Sequence, residues 1–262
     1  RHAAEPVTAP RTTIGPDALE AAARERLPQA VYDYYAGGAE DEVTLRANRA
    51  AYRRLFLRPR VLVDASAIDT RVTLLGETLP HPVLLAPTAF QRLAHADGEA
   101  GAARAAAAQE AIYIVSTFAA TSVEDIAAAS DARLWFQLYV LRDRSLTRDL
   151  VQRAEAAGAR ALCLTVTVPA QGRRERDARN AFRLPDGYEM ANFRGHRQAG
   201  MPAAAGSGLE AFIHAELDST LTWDAVAWLR SITSLPVLLK GIATPEDARL
   251  GLEHGAAGLI VS

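Results

Sequence analysis

Side chains able to bind or to move protons gather at one kind of place in this sequence, the end of a short apolar run. Pro87-Thr88 follow Val83 to Ala86, and Ser116-Thr117 follow Ile112 to Val115. Gln137 and Tyr139 close the run Leu134 to Leu138, Thr165 and Thr167 close Ala161 to Val166, and Lys240-Gly241 follow Val237 to Leu239. No His/Cys/Asp/Glu set has metal-ligand spacing, so no metal site is expected.

The elements that must position these residues have a regular rhythm. The apolar runs, the last being Ala257 to Val261, alternate with Ala-rich helical stretches at Gly98 to Gln109, Ser122 to Ala129, Leu146 to Ala157, Trp223 to Ile232 and Pro245 to His254. Runs without polar alternation are buried on both faces, and βα repetition implies right-handed crossovers in a parallel sheet. A barrel and a doubly wound sheet both have this pattern. No GxGxxG or GxxxxGK[ST] follows any run, which removes the strongest signs of a nucleotide-binding open sheet. Polar residues at several strand ends are the arrangement of a (β/α)8 barrel, whose chemistry is built on the C-terminal rim. The barrel is the expected fold, with about six of the eight strands in this chain.

Upstream, Gly15 to Arg53 has helical patterning with breaks at Gly37-Gly38, and Val72 to Leu79 predicts a hairpin turning at Gly76. Residues 1–14, rich in Ala, Pro and Thr, are expected to form a flexible tail, and 15–262 the barrel. Pro169 to Leu221 breaks the rhythm and is expected to be a long active-site loop after the fourth strand.

At 262 residues the chain can bury a large core, and 49% apolar content is that of a globular protein. A net charge of −2 with interspersed signs excludes the basic surface that nucleic acid or an anionic membrane would need. No apolar stretch reaches the roughly 20 residues of a membrane helix, and a cytoplasmic location is expected. The single cysteine, Cys163, lies inside an apolar run and reads as a small buried hydrophobe. His95 reads as a loop residue and His254 as a helix-terminus residue.

Taken singly, the other candidates have bland readings: Arg173-Arg174 a solvated face, Lys240 a surface pair or helix cap, Tyr34 and Tyr139 packing residues with a wet hydroxyl. Their surroundings change this. Tyr32-Asp33-Tyr34-Tyr35-Ala36-Gly37-Gly38-Ala39-Glu40-Asp41, Leu85-Ala86-Pro87-Thr88-Ala89, Phe136-Gln137-Leu138-Tyr139-Val140, Gly172-Arg173-Arg174-Glu175 and Leu238-Leu239-Lys240-Gly241-Ile242 occur in that order. Together they resemble the FMN-dependent L-2-hydroxy-acid oxidases and dehydrogenases, the family of glycolate oxidase, lactate oxidase and mandelate dehydrogenase. The likeness runs from about Gly15 to Ser262.

The resemblance implies that Pro87, Thr88, Ala89, Ser116, Gln137, Thr165 and Lys240 cradle the FMN ring system. Tyr34, Tyr139 and Arg174 would meet the substrate carboxylate and hydroxyl, with Phe118 lining the pocket where glycolate oxidase has Trp. Tyr139, Lys240 and Arg174 would carry the catalytic roles. The implied substrate is a small 2-hydroxy acid, the acceptor O2 or another oxidant, and the assembly a homotetramer. Phe118 and Gln171 imply a larger or more polar pocket than that of glycolate oxidase, open to aryl acids.

Two departures stand out. Where the family reads Thr-Val-Asp-Thr-Pro, this chain has Thr165-Val166-Thr167-Val168-Pro169. The usual Asp supports the catalytic histidine when it is protonated, so slower turnover is expected. That histidine, and a second Arg, belong to an Asn-His-Gly-Gly-Arg-Gln motif that would follow Ser262. Six strands cannot close an eight-stranded barrel, so a further segment carrying that motif is expected; without it a long strand edge would be left unpaired. The alternatives are a catalytically impaired flavin-binding scaffold, suggested by Thr167, and another FMN barrel such as type 2 isopentenyl diphosphate isomerase.

Overall fold

The computed structural model describes residues 14–167, 172–201 and 207–262. The expected tail thus lies almost wholly outside the described residues, as do Gln171 and Pro169. Three helices come first: α1 (Pro16–Arg26), α2 (Gln29–Ala36) and α3 (Val43–Arg53). Pro16 and Asp17 favour the start of α1, where a missing N–H costs nothing and a negative charge meets the positive helix end. Helix α2 stops at Gly37, whose N–H bonds Asp33 O; a Cβ there would stand 2.6 Å from that oxygen. The hairpin β1 (Val72–Leu74) and β2 (Glu77–Leu79) turns where expected, with Leu75 at φ 50° and Gly76 at φ 84°. Two successive left-handed residues give the twist that a tight hairpin needs.

The main sheet holds β3 (Ile112–Ser116), β4 (Arg133–Leu138), β5 (Leu162–Thr165), β6 (Val237–Ile242) and β7 (Gly258–Val261), all parallel and paired in sequential order. A doubly wound sheet reverses its strand order at a switch point. None occurs here, and the sheet is an arc of a (β/α)8 wall. Outside it pack α4 (Gly98–Ala108), α5 (Val123–Ala128), α6 (Arg144–Ala156), α9 (Asp224–Arg230) and α10 (Pro245–Glu253). Ser122, Asp143 and Thr244 cap α5, α6 and α10 with side-chain oxygens that accept first-turn N–H groups.

Two expectations need correction. The run Val83 to Ala86 forms no strand, only one parallel bridge between Leu85 and Tyr113, made by Leu85 N–H to Ile112 O and Ile114 N–H to Leu85 O. It lies at the edge of the described sheet, between Pro82 and Pro87, which have no N–H to donate. The sheet therefore has five strands and a bridge where six strands were expected. The long segment is also no open loop: it contains α7 (Glu175–Arg179), α8 (Gly208–Glu216) and two 3-10 turns at Ala191–Phe193 and Arg197–Ala199. Buried Asn192 pins it to the barrel, donating to Ser116 O and Thr117 O while accepting from Val123 N–H.

Strand periodicity then sets the site. One face of the sheet carries Ile112, Ile114, Trp135, Cys163 and Leu238, packed on Leu79 of the hairpin. The other face carries Val115, Phe136, Leu164 and Leu239, packed with Ala103 of α4, Val151 of α6 and Leu229 of α9. Two residues further along the first face come Ser116, Gln137, Thr165 and Lys240. The hairpin end of that face is apolar and the C-terminal end is polar.

Candidate active site

Ser116, Gln137 and Thr165 are at most 5% exposed, and a buried polar group must find partners. Gln137 supplies them across three strands: its Oε1 accepts from Ser116 Oγ (3.4 Å) and Thr117 N (3.2 Å), and its Nε2 donates to Thr165 Oγ1 (2.9 Å). Thr117 extends the network, donating to Gln137 O (2.6 Å) and accepting from Tyr139 N (3.1 Å). That bond fixes the backbone from which Tyr139 projects.

Lys240 pairs in register with Thr165, and its Nζ donates to Ser262 Oγ at 3.0 Å. Burial holds its pKa below the ordinary lysine value. Cys163, deeper on the same face, is fully buried, and burial pushes its thiol up to about 12, against the opposing pull of Lys240. A thiol so hard to ionise is packing, as its apolar run implied.

Gly241 follows Lys240 at φ 114°, inside a register irregularity between Lys240 and Ile242. A Cβ on it would stand 2.1 Å from Thr167 Cγ2. Gly241→Ala is therefore expected to destabilise the protein by about 1–3 kcal/mol through backbone strain alone, and to displace Lys240. A thermal melt unchanged by this substitution would contradict the close approach.

Tyr34 projects from α2 and stacks flat on Phe182, with ring centroids 4.7 Å apart and planes 4° apart. Arg174 caps the C-terminal end of the same helix. Its guanidinium donates to Gly37 O (3.1 Å) and Tyr34 O, and its Nε pairs with buried Asp177 at 2.6 Å. The Arg174 guanidinium carbon stands 5.6 Å from the centre of the Tyr34 ring. Among the described residues three of the five guanidinium N–H groups are committed, which leaves one on each terminal nitrogen for a ligand. Arg174 is thus no solvated-face residue, although its charged neighbourhood resembles one.

A cavity of about 330 Å³ collects these groups. Its walls include Tyr34, Pro87, Thr88, Ala89, Ser116, Phe118, Gln137, Tyr139, Thr165, Arg174 and Lys240, so the residues that the resemblance assigns to flavin and substrate lie on one cavity, apart from Gln171, which is outside the described residues. Burial, first of all, raises the pKa of both Tyr34 and Tyr139, and both remain neutral phenols able to donate. Phe118 stacks against Tyr139 (5.1 Å, 23°) and meets Phe212 edge to face (5.5 Å, 88°). Tyr35, and Leu209 and Ile213 of α8, which complete the lining, are not among the residues that the sequence pattern singles out. A signal for α8 exists: Ser207 and Glu210 have capping-box spacing, and Glu210 N–H does donate to Ser207 Oγ.

The two histidines stay out of this site. His254 ends α10 and stacks on Trp223 at 5.5 Å, and His95 Nδ1 accepts from Asp97 N–H in its own loop. Among the described residues no group of three His, Cys, Asp or Glu could hold a metal ion. A polar strip with a single ammonium, facing a cavity roofed by aromatic and aliphatic side chains, fits a flat, hydrogen-bonding ring system that gains negative charge. FMN has such a ring.

Comparison with known proteins agrees. The family model described as FMN-dependent dehydrogenase matches residues 23–262. Glycolate oxidase of Spinacia oleracea is 49% identical over 243 residues, covering 93% of this chain and 66% of the relative, and glycolate oxidase 3 of Arabidopsis thaliana is 48% identical with the same coverage. The chain thus spans a little under two thirds of the length of these relatives. A crystal structure of mandelate oxidase with (S)-4-hydroxymandelic acid superposes with a TM-score of 0.88 at 43% identity, covering 93% of this chain and 68% of that one. From a barrel arc, a flavin-fitting cavity and these relatives together, the chain belongs to the FMN-dependent dehydrogenase family.

Proposed function

We propose that this protein oxidises a small L-2-hydroxy acid to the corresponding 2-oxo acid, using FMN and passing the electrons to O2 to give hydrogen peroxide. The observation that carries this reading is the convergence of Arg174, Tyr34, Tyr139 and Lys240 on one cavity. FMN, when bound, accepts the Cα hydrogen together with two electrons. The Arg174 guanidinium keeps N–H groups that no described residue takes, and these would bind the substrate carboxylate together with the Tyr34 hydroxyl. The Tyr139 phenol, kept protonated by its burial, hydrogen-bonds the substrate oxygen. Lys240 supplies fixed positive charge beside the group that becomes anionic.

The acid's side chain would face Phe118, Leu209 and Ile213, three apolar groups that suit a lactate-to-mandelate range better than a bare glycolate. The relatives are named for glycolate and for mandelate, which brackets that range. Oxygen consumption by the purified flavoprotein over a panel of L-2-hydroxy acids tests this reading. Uptake with at least one of glycolate, lactate and mandelate is expected, and no uptake with any of them would defeat an oxidase.

A second reading, an impaired flavin-binding barrel, is favoured by one residue: Thr167 stands where the family has a carboxylate to support the imidazolium. Restoring it by Thr167→Asp is expected to raise kcat roughly tenfold or more, the scale of one charge-assisted hydrogen bond. An unchanged or lowered kcat would refute that role for the position.

A further inference from the structure

We infer that Tyr35 and Glu99 are positioning residues that hold the loop Pro87–Gln91, and with it the backbone of Thr88 and Ala89, in the wall of the cavity. The inference rests on the proposal that this cavity takes FMN.

The loop needs holding. Phe90, fully buried, sits at φ 58° and ψ 37°, a left-handed conformation unfavourable for a bulky side chain. Such strain persists only where the surroundings over-determine it, and it concentrates at functional sites. Here the bonds come from both sides of the strained residue. The Tyr35 hydroxyl donates to Phe90 O at 2.7 Å and to Ala89 O at 3.3 Å. Glu99 Oε1 accepts from Gln91 N at 3.1 Å, one residue beyond. Phe90 N donates to Phe118 O at 3.2 Å.

Glu99 is the acidic residue in the first turn of α4, a place that exposed carboxylates usually take. It is fully buried and joins no ion pair among the described residues. Its remaining bonds are from Ala120 N (2.9 Å, to Oε1) and Thr121 Oγ1 (3.1 Å, to Oε2). A buried carboxylate with only neutral donors is expensive, and an apolar residue would remove that cost. What it achieves is geometric: one side chain ties the loop before α4 to the loop after β3, and both loops contribute to the cavity through Ala89 and Phe118. Tyr34 and Tyr35 divide the work of adjacent phenols, with the Tyr35 hydroxyl spent on the loop.

The test measures FMN dissociation constants on the deflavinated full protein, the visible spectrum of the bound flavin, and Tm. Tyr35→Phe is expected to raise the FMN Kd about five- to tenfold, the scale of one hydrogen bond, and to shift the visible flavin band. Glu99→Leu is expected to weaken binding at least as much, whereas Glu99→Gln, which keeps an acceptor for Gln91 and Ala120, should restore near wild-type affinity. Glu155→Ala is the stability control, since Glu155 accepts from Thr233 (2.6 Å) and Ser234 at the far end of β6. It should lower Tm with Kd and spectrum intact. If Tyr35→Phe also lowers only Tm, the inference is overturned while the proposed function stands, and Tyr35→Phe decides even if Glu99→Leu fails to fold. A wild-type protein that binds no FMN overturns both.

Discussion

Replacing Lys240 with Met is expected to slow bleaching of the protein-bound flavin by an L-2-hydroxy acid by roughly 10²–10³-fold, the usual cost of removing one preorganised charge stabiliser. Lys240 is the ammonium at the end of the polar strip, beside Thr165 and within the same cavity as Tyr139 and Arg174. Met keeps most of the aliphatic stem, so the fold should survive and the loss should appear in the rate. The pH profile provides a second reading of the same residue. Burial disfavours the charged form of Lys240, so its proton is lost as pH rises through a value below the ordinary 10.5. Wild-type bleaching should fall off on the alkaline side as pH rises through that lowered value, and Lys240→Met should lack this limb. Equal rates for the two proteins would remove Lys240 from the chemistry.

Arg174→Leu is expected to lower kcat/KM by about 10²–10³-fold through loss of a charged carboxylate contact. It is also expected to destabilise the fold, because Asp177 is 1% exposed and pairs with Arg174 at 2.6 Å. Breaking such a pair from one side costs about 3–5 kcal/mol. The double variant Arg174→Leu, Asp177→Asn separates the two roles. Removing the stranded charge should recover much of the Tm and none of the kcat/KM. Recovery of both would mean that Arg174 acts only as a strut between α2 and α7.

Lys240 and Arg174 differ in how far the amino-acid sequence alone reveals their roles, and the difference is physical. Helix starts, the hairpin and the strand ends are legible because their signals are local: caps, turn residues and apolar period are properties of a few adjacent residues. The rim residues follow, since a strand's period of two carries Ser116, Gln137, Thr165 and Lys240 to one face wherever the strand lies. The run Val83 to Ala86 misleads because a ladder belongs to a pair of strands, and among the described residues Leu85 makes a single bridge, to Tyr113. The cover over the cavity has the composition of a loop because its Gly, Ala and charged residues conceal short helices held by tertiary bonds such as those of Asn192. Tyr35 and Glu99 are invisible for the same reason: their partners lie 54 or more residues away for Tyr35, and at Ala120 and Thr121 for Glu99. Arg174 is legible through its motif, but its commitments to Gly37 and Asp177 are not.

Adding L-2-hydroxy acids to the flavin-loaded protein under strict exclusion of air tests the central claim most directly. The yellow oxidised-flavin absorbance is expected to bleach with at least one acid, with one equivalent of 2-oxo acid formed per flavin, and to return when air is admitted. A protein that holds FMN firmly yet stays yellow with every acid would contradict it.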